Sequence, residues 1–238
     1  MNLNKNLIKV TIKELIGYYV WGIKFLLFII PFLSLFISSS LFFPYITGRN
    51  FVFRILVEIA LSLWLVMVIV TKGYRPRLTP IVGAVLVFLA VVGLADFLGE
   101  NPYHSFWSRF ERMEGYIMML HLGVYFMLLT SVFRSKRDWM LFFNLFVLAS
   151  LGVGLYGVLQ VLGLKEAIQG GGDRIDGTIG NPTYLAVYLV LVTNLALILF
   201  FNTSRKWLKL TYAAFIIFNL IILYFTASRG AFLSLLVS

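Results

Sequence analysis

PIVGAVLVFLAVVGLADFL (Pro80–Leu98) and TYLAVYLVLVTNLALILFF (Thr183–Phe201) decide the fold. The first carries one charged side chain, Asp96, and the second carries none. At 1.5 Å per helical residue, either run covers about 29 Å, close to the hydrocarbon thickness of a bilayer. A backbone in hydrocarbon must satisfy its own hydrogen bonds, and an isolated continuous apolar run does so only as a helix. Runs of the same kind recur at Gly22–Ile46, Phe51–Val70, Tyr116–Phe133, Met140–Leu162 and Leu208–Phe225, and an eighth begins near Ala231 and is cut at Ser238. The expected fold is therefore an all-α integral membrane protein. It is a bundle of seven transmembrane helices plus the start of an eighth, in a single transmembrane domain over residues 1–238.

Composition agrees. The 238 residues are 61% hydrophobic and 13% charged, whereas a soluble domain carries about 25% charged residues. The absence of cysteine excludes disulfides, thiolate metal sites and cysteine nucleophiles. A net charge of +10 would suggest nucleic acid in a soluble protein. The placement of the charges argues instead for a membrane and no nucleic-acid partner. Alternate connecting segments hold Lys5, Lys9 and Lys13, then Lys72, Arg75 and Arg77, then Arg134, Lys136 and Arg137, then Arg205, Lys206 and Lys209, against only Glu14 and Asp138. The other set pairs Arg49, Arg109, Arg112, Lys165, Arg174 and Arg229 with Glu100, Glu111, Glu114, Glu166, Asp173 and Asp176. The positive-inside rule puts the first set, and with it the N-terminus, in the cytoplasm.

Residues 1–16 place Lys5, Lys9 and Lys13 four apart among Leu and Ile. That spacing fits an interfacial amphipathic helix on an anionic leaflet, or a solvated tail. A cleaved signal is disfavoured, because the apolar run continues past Ser38–Ser40.

Several motifs have ordinary explanations. Gly152-Val-Gly154-Leu-Tyr-Gly157 matches a dinucleotide fingerprint as a string but lies inside an apolar span, so it reads as helix packing through small residues, with Ser150 and Gly154 paired. Asn202-Thr203-Ser204 is a formal glycosylation sequon in an expected cytoplasmic loop and is discarded. Arg54 and Glu58 lie one helical turn apart at membrane depth, where they form either an i,i+4 ion pair or the wall of a functional cavity. No acidic cluster has metal-ligand spacing, and neither metal nor cofactor is expected.

Three outer elements carry polar chemistry. The first, Asn101–Gly115, holds His104, four aromatics (Tyr103, Phe106, Trp107, Phe110) and Arg109, Glu111, Arg112 and Glu114. Guanidinium groups bind phosphate in a bidentate fashion, and carboxylates can hold them in place. His104 could serve as a base, but a lone histidine among aromatics is more often structural, and His121 in its apolar helix more so. The second, Gly170–Thr183, is glycine-rich, carries Arg174 among acids and ends on Asn181-Pro182, a helix start. Taken alone, it also reads as an ordinary solvated loop. The third, Thr226-Ala-Ser228-Arg229-Gly230-Ala231, is a polar break between apolar runs. Free N–H groups at a helix start and a fixed arginine together make an anion site; the plainer reading is a snorkelling arginine in a turn.

Pro44-Tyr-Ile-Thr-Gly48, Phe53-Arg54-Ile-Leu-Val-Glu58, Phe106-Trp-Ser-Arg-Phe-Glu-Arg-Met-Glu-Gly115, Asp176-Gly-Thr-Ile-Gly-Asn-Pro-Thr183 and Thr226-Ala-Ser-Arg-Gly-Ala231 together resemble the O-antigen ligase/polymerase-like membrane family, in its N-terminal part. The resemblance implies a glycosyltransferase in the bacterial inner membrane. Such an enzyme takes a glycan from a polyprenyl-pyrophosphate carrier on the extracytoplasmic face. It passes the glycan to a lipid, glycan or protein acceptor. Arg229 aligns with a pyrophosphate-binding arginine of that family, and Arg109, Arg112 and Arg174 are candidates to assist it. Glu111, Glu114, Asn181 and Ser228 are candidate supports. The family's base histidine would lie beyond Ser238, so the catalytic residue is unknown and the chain alone is expected to be inactive. The rival expectation is a transporter or flippase for an anionic or lipid-linked substrate, with Arg54 and Glu58 lining its path.

Overall fold

The computed structural model describes residues 2–109, 112–167 and 174–237, with side chains described throughout these ranges except at 2–13 and 236. The described chain is helical with no strands, 79% of it in helices. The helices are α1 (Asn2–Ile29), α2 (Thr47–Val70), α3 (Pro80–Leu98), α4 (Pro102–Trp107), α5 (Tyr116–Val132), α6 (Lys136–Val161), α7 (Pro182–Asn202), α8 (Lys206–Phe225) and α9 (Arg229–Val237). Six segments are long and apolar enough to cross a membrane: Glu14–Leu35, α2, α3, α6, α7 and α8. The architecture is that of a multi-pass membrane protein. The apolar helix α5 has 17 residues, or about 26 Å of rise, at the lower edge of a spanning length.

The first span departs from expectation. The spanning segment is Glu14–Leu35 rather than Gly22–Ile46, and residues 2–29 form one continuous helix. Pro31 lacks an N–H and disfavours helical geometry at Ile30. The chain accordingly tightens into a 3₁₀ turn at Ile30–Leu35 and then leaves the helix before the three serines Ser38–Ser40.

Three helices open alike, on a polar cap followed by proline. Thr79 accepts from Val82 N, Asn101 from His104 N, and Asn181 from both Thr183 N and Tyr184 N, with Pro80, Pro102 and Pro182 next in sequence. The caps satisfy free N–H groups, and proline costs nothing where its missing N–H would be unpaired.

Two compact units divide the chain. In Met1–Ile30 with Ser39–Ser135, helices α1 and α5 pack against α2, and α3 and α4 pack against α5. Helix α2 buries Phe53, Val57, Ala60, Trp64 and Met67, a stripe spaced 4, 3, 4 and 3 residues apart. Helix α3 fully buries only Val82; Val85, Leu89, Val92 and Gly93 are half-buried and most of its other apolar side chains are exposed, as on a lipid-facing helix.

In Pro31–Ser38 with Lys136–Ser238, α6, α7 and α8 pack on one another and α9 packs on α7. Val153, Leu185, Leu189, Ile222 and Leu223 form the core. Polar bonds join the helices: Tyr212 Oη donates to Asn144 Oδ1 (2.7 Å) and Asn219 Nδ2 to Thr193 Oγ1 (3.4 Å). The small-residue run of α6 works as packing. A Cβ on Gly154 would lie 2.5 Å from the Phe218 ring of α8, and one on Gly157 would lie 3.2 Å from Ile175. Gly154→Ala should therefore lower stability, by about 1–3 kcal/mol for overpacking. Gly83→Ala, with nothing within 4 Å of its new Cβ, should be neutral or stabilising. Thermal unfolding of both variants in detergent checks this, and equal midpoints would contradict the packing role of Gly154.

Candidate functional site

In the second unit the polar loop is pinned before it is exposed. Gln160, near the end of α6, donates through Nε2 to Asp176 Oδ1 (2.7 Å) and to Glu166 O (3.2 Å). Its Oε1 accepts from the N–H groups of Gly177 (2.8 Å) and Asp176 (3.3 Å). Asp176 is fully buried, so these bonds supply partners that water cannot. Gly177 and Gly180 take φ of +55° and +79°, a region that glycine enters without a Cβ penalty. Thr178 Oγ1 donates to Ser34 O at 2.8 Å and ties the turn to the 3₁₀ segment.

This pinned loop reaches the break after α8. Ile175 N bonds Phe225 O (3.2 Å). Arg174 donates through Nε to Thr226 O (2.9 Å) and through Nη2 to Ser228 Oγ (3.5 Å). Ser228 Oγ also lies 3.5 Å from Pro182 O, beside the Asn181 cap of α7. Ala227 adopts φ +51°, costly for a residue with a Cβ. Arg229 then opens α9 with its side chain exposed. Arg174, Ser228 and Arg229 thus gather at one break, with Asn181 next to it. Asn181 itself caps α7 through its side-chain oxygen. Among the described residues, the hydrogen bonds of Arg174 go to neutral acceptors, the Thr226 carbonyl and the Ser228 hydroxyl. Asp173 and the glycines 170–172 lie outside the described residues, as do Phe110 and Glu111.

The first unit holds a second arginine group. Arg54 is only 9% exposed, and its Nη2 reaches Met113 Sδ at 3.5 Å while its guanidinium lies 4.9 Å from the Phe51 ring. Arg112 sits 4.4 Å over the Phe43 ring, with its Nε buried and lacking a hydrogen-bond partner among the described residues. The neighbouring carboxylates are engaged elsewhere. Glu114 Oε1 accepts from Asn50 Nδ2 (3.3 Å), which also donates to Arg112 O (3.2 Å). Glu58 Oε1 lies 3.0 Å from His121 Nε2, and His121 Nδ1 lies 2.7 Å from Ile117 O. Arg54 and Glu58 take these separate partners and do not form the i,i+4 ion pair, one of the two readings of their spacing. Arg109 and His104 are exposed; the Arg109 carbonyl closes a turn by accepting from Arg112 N and Met113 N.

The sequence reading missed Gln160, Asn50 and Met113. Gln160 left a trace as a lone amide near the end of an apolar run, but its partners Asp176 and Gly177 lie 16 and 17 residues away around a loop. Asn50 and Met113 carried no signal.

The chain matches no protein-family model, no curated protein and no solved structure.

Replacing Gln160 with leucine leaves the buried Asp176 carboxylate and two N–H groups without these bonds. A loss of roughly 1–3 kcal/mol or more is expected, with faster hydrogen exchange at Asp176 and Gly177. Unchanged exchange at those amides would show that Gln160 is not what holds the loop.

Proposed function

We propose that this chain is a membrane glycosyltransferase of the O-antigen ligase/polymerase type. It binds a polyprenyl-pyrophosphate-linked glycan for transfer to a lipid, glycan or protein acceptor on the extracytoplasmic face of a bacterial inner membrane. The single observation that carries the reading is the break after α8. There, Arg174 is anchored on Thr226 and Ser228 through neutral acceptors, and Arg229 follows at the start of α9. Fixed cations suit a departing pyrophosphate, whose negative charge must be met as the glycosidic bond breaks. The proposed topology has seven spans with a cytoplasmic N-terminus, α5 being the shortest. It rests on the alternation of basic and mixed loops. In this reading Arg229 and Arg174 of the second unit hold the pyrophosphate; Arg112 and Arg109 of the first unit are separate candidate cations, as the resemblance implies. Ser228 and Asn181 hold the backbone that presents Arg174 and Arg229, and Glu114 braces Asn50 beside the Arg112 turn.

One observation favours a second reading, transport. Glu58 lies mid-way along α2 with 62% of its side chain exposed, and it pairs with His121. Ionisable groups at membrane depth often mark a substrate path. Proteoliposomes separate the two: transport requires movement of a lipid-linked or anionic substrate that Glu58→Gln slows.

For the favoured reading, binding of a polyprenyl-pyrophosphate glycan to the purified chain in nanodiscs should weaken about tenfold or more in Arg229→Ala and in Arg174→Ala, the scale of one lost charge-assisted bond. Full-strength binding in both folded variants would remove these arginines from the site and the reading with them.

A further inference from the structure

At the end of α3 in the first unit lies a cavity of about 430 Å³, within the usual size range for a small-molecule site. Its walls include Asp96, Phe97, Tyr103, Phe106, Trp107 and Tyr116. The walls are fixed by local contacts. Tyr116 Oη donates to Leu89 O at 2.8 Å, and a Cβ on Gly93 would come within 2.5 Å of that hydroxyl, so the ring lies hard against α3. A Cβ on Gly115 would lie 2.5 Å from Phe106 O, so the short helix α4 is seated directly on the chain entering α5. The Phe106 ring then meets Trp107 edge-on at 4.9 Å and Tyr116 at 6.1 Å.

Asp96 is the one charged residue in this lining. It has neither hydrogen bond nor ion pair to any described residue. It also stands in the last turn of α3, which contains no basic residue and where the helix's own carbonyl charge is negative. A carboxylate there gains nothing from the helix and repels any anion. An interfacial aromatic belt would account for the rings, but it gives no reason for an unpaired acid among them. A carboxylate in a cavity lined by Phe97, Tyr103, Phe106, Trp107 and Tyr116 is complementary to an organic cation, which cation–π attraction and the carboxylate can both hold.

We propose that this cavity binds an alkylammonium group. The group can come from a lipid headgroup, since the cavity lies at the end of an apolar, membrane-length helix, or from a soluble amine. The site is independent of the arginine-lined break and of the glycosyl-transfer reading.

The test uses the whole chain in nanodiscs of phosphatidylglycerol, titrated with choline and read by tryptophan fluorescence. The neutral isostere 3,3-dimethylbutan-1-ol is titrated in parallel. A saturable response to choline is expected, with no comparable response to the isostere. The response should weaken about tenfold in Asp96→Asn, the scale of one lost charge-assisted contact, return in Asp96→Glu, and vanish in Trp107→Phe. Nanodiscs containing phosphatidylethanolamine separate the sources. Loss of the choline response there identifies the lipid headgroup as occupant, and an unchanged response identifies a soluble amine. The proposal is overturned by absence of saturable binding to folded protein, by equal affinity for choline and the isostere, by equal displacement with a neutral methyl glycoside, or by a response that survives both Asp96→Asn and Trp107→Phe.

Discussion

Hydrocarbon offers no partner for a backbone N–H or C=O, and several departures from helix among the described residues answer that constraint. Where α3, α4 and α7 begin, Thr79, Asn101 and Asn181 supply an acceptor and proline removes a donor. Where the chain turns after α2, Trp64 Nε1 donates to Tyr74 O at 3.1 Å. After α5, Arg134 donates to Ser131 O (2.7 Å) and Arg75 O (3.1 Å). The loop leaving α6 depends on the two faces of one amide, Gln160, and the break after α8 depends on Arg174. Two of these side chains, Arg134 and Arg174, are cations, so at those points the group that satisfies the backbone also sets a positive charge there.

Arginine is suited to both tasks because one guanidinium can bond a carbonyl through one N–H and still present its charge elsewhere. Arg174 shows this, with Nε on a carbonyl and Nη2 on a hydroxyl. Arg54 and Arg112 reach a similar state by another route, resting on aromatic rings and a thioether while Glu58 and Glu114 bond to His121 and Asn50. Had those carboxylates closed onto the arginines, the positive charge would have been neutralised from within. Left as they are, neither Glu58 nor Glu114 neutralises Arg54 or Arg112.

Much of this was legible in the sequence where a single element carries the signal. The bounds of α3 coincide with the apolar run Pro80–Leu98, and the Asn181-Pro182 start of α7 follows from cap chemistry. The small-residue stripe of α6 was readable as packing because glycines at helical spacing inside an apolar run have few other uses. Legibility ended where partners are distant. Arg54 meets Met113 59 positions away and Glu58 meets His121 63 positions away, so i,i+4 spacing pointed to a pair the fold does not make. The first span was misplaced because hydropathy stays high through Phe36–Ile46 although Pro31 has already ended the helix. Hydropathy reports the solvent a segment tolerates and not the backbone geometry it adopts.

We propose that the loops carrying Arg109, Arg112, Arg174 and Arg229 face the extracytoplasmic side, as the alternation of basic and mixed loops implies. The cysteine-free sequence makes that side directly measurable through single substitutions labelled by a membrane-impermeant thiol reagent in intact cells. Ser105→Cys in α4 and Thr183→Cys in the first turn of α7 should label from outside, and Ser204→Cys between α7 and α8 should label only after the membrane is opened. Labelling of Ser204→Cys from outside, or protection of Thr183→Cys while Ser105→Cys reacts, would contradict the account.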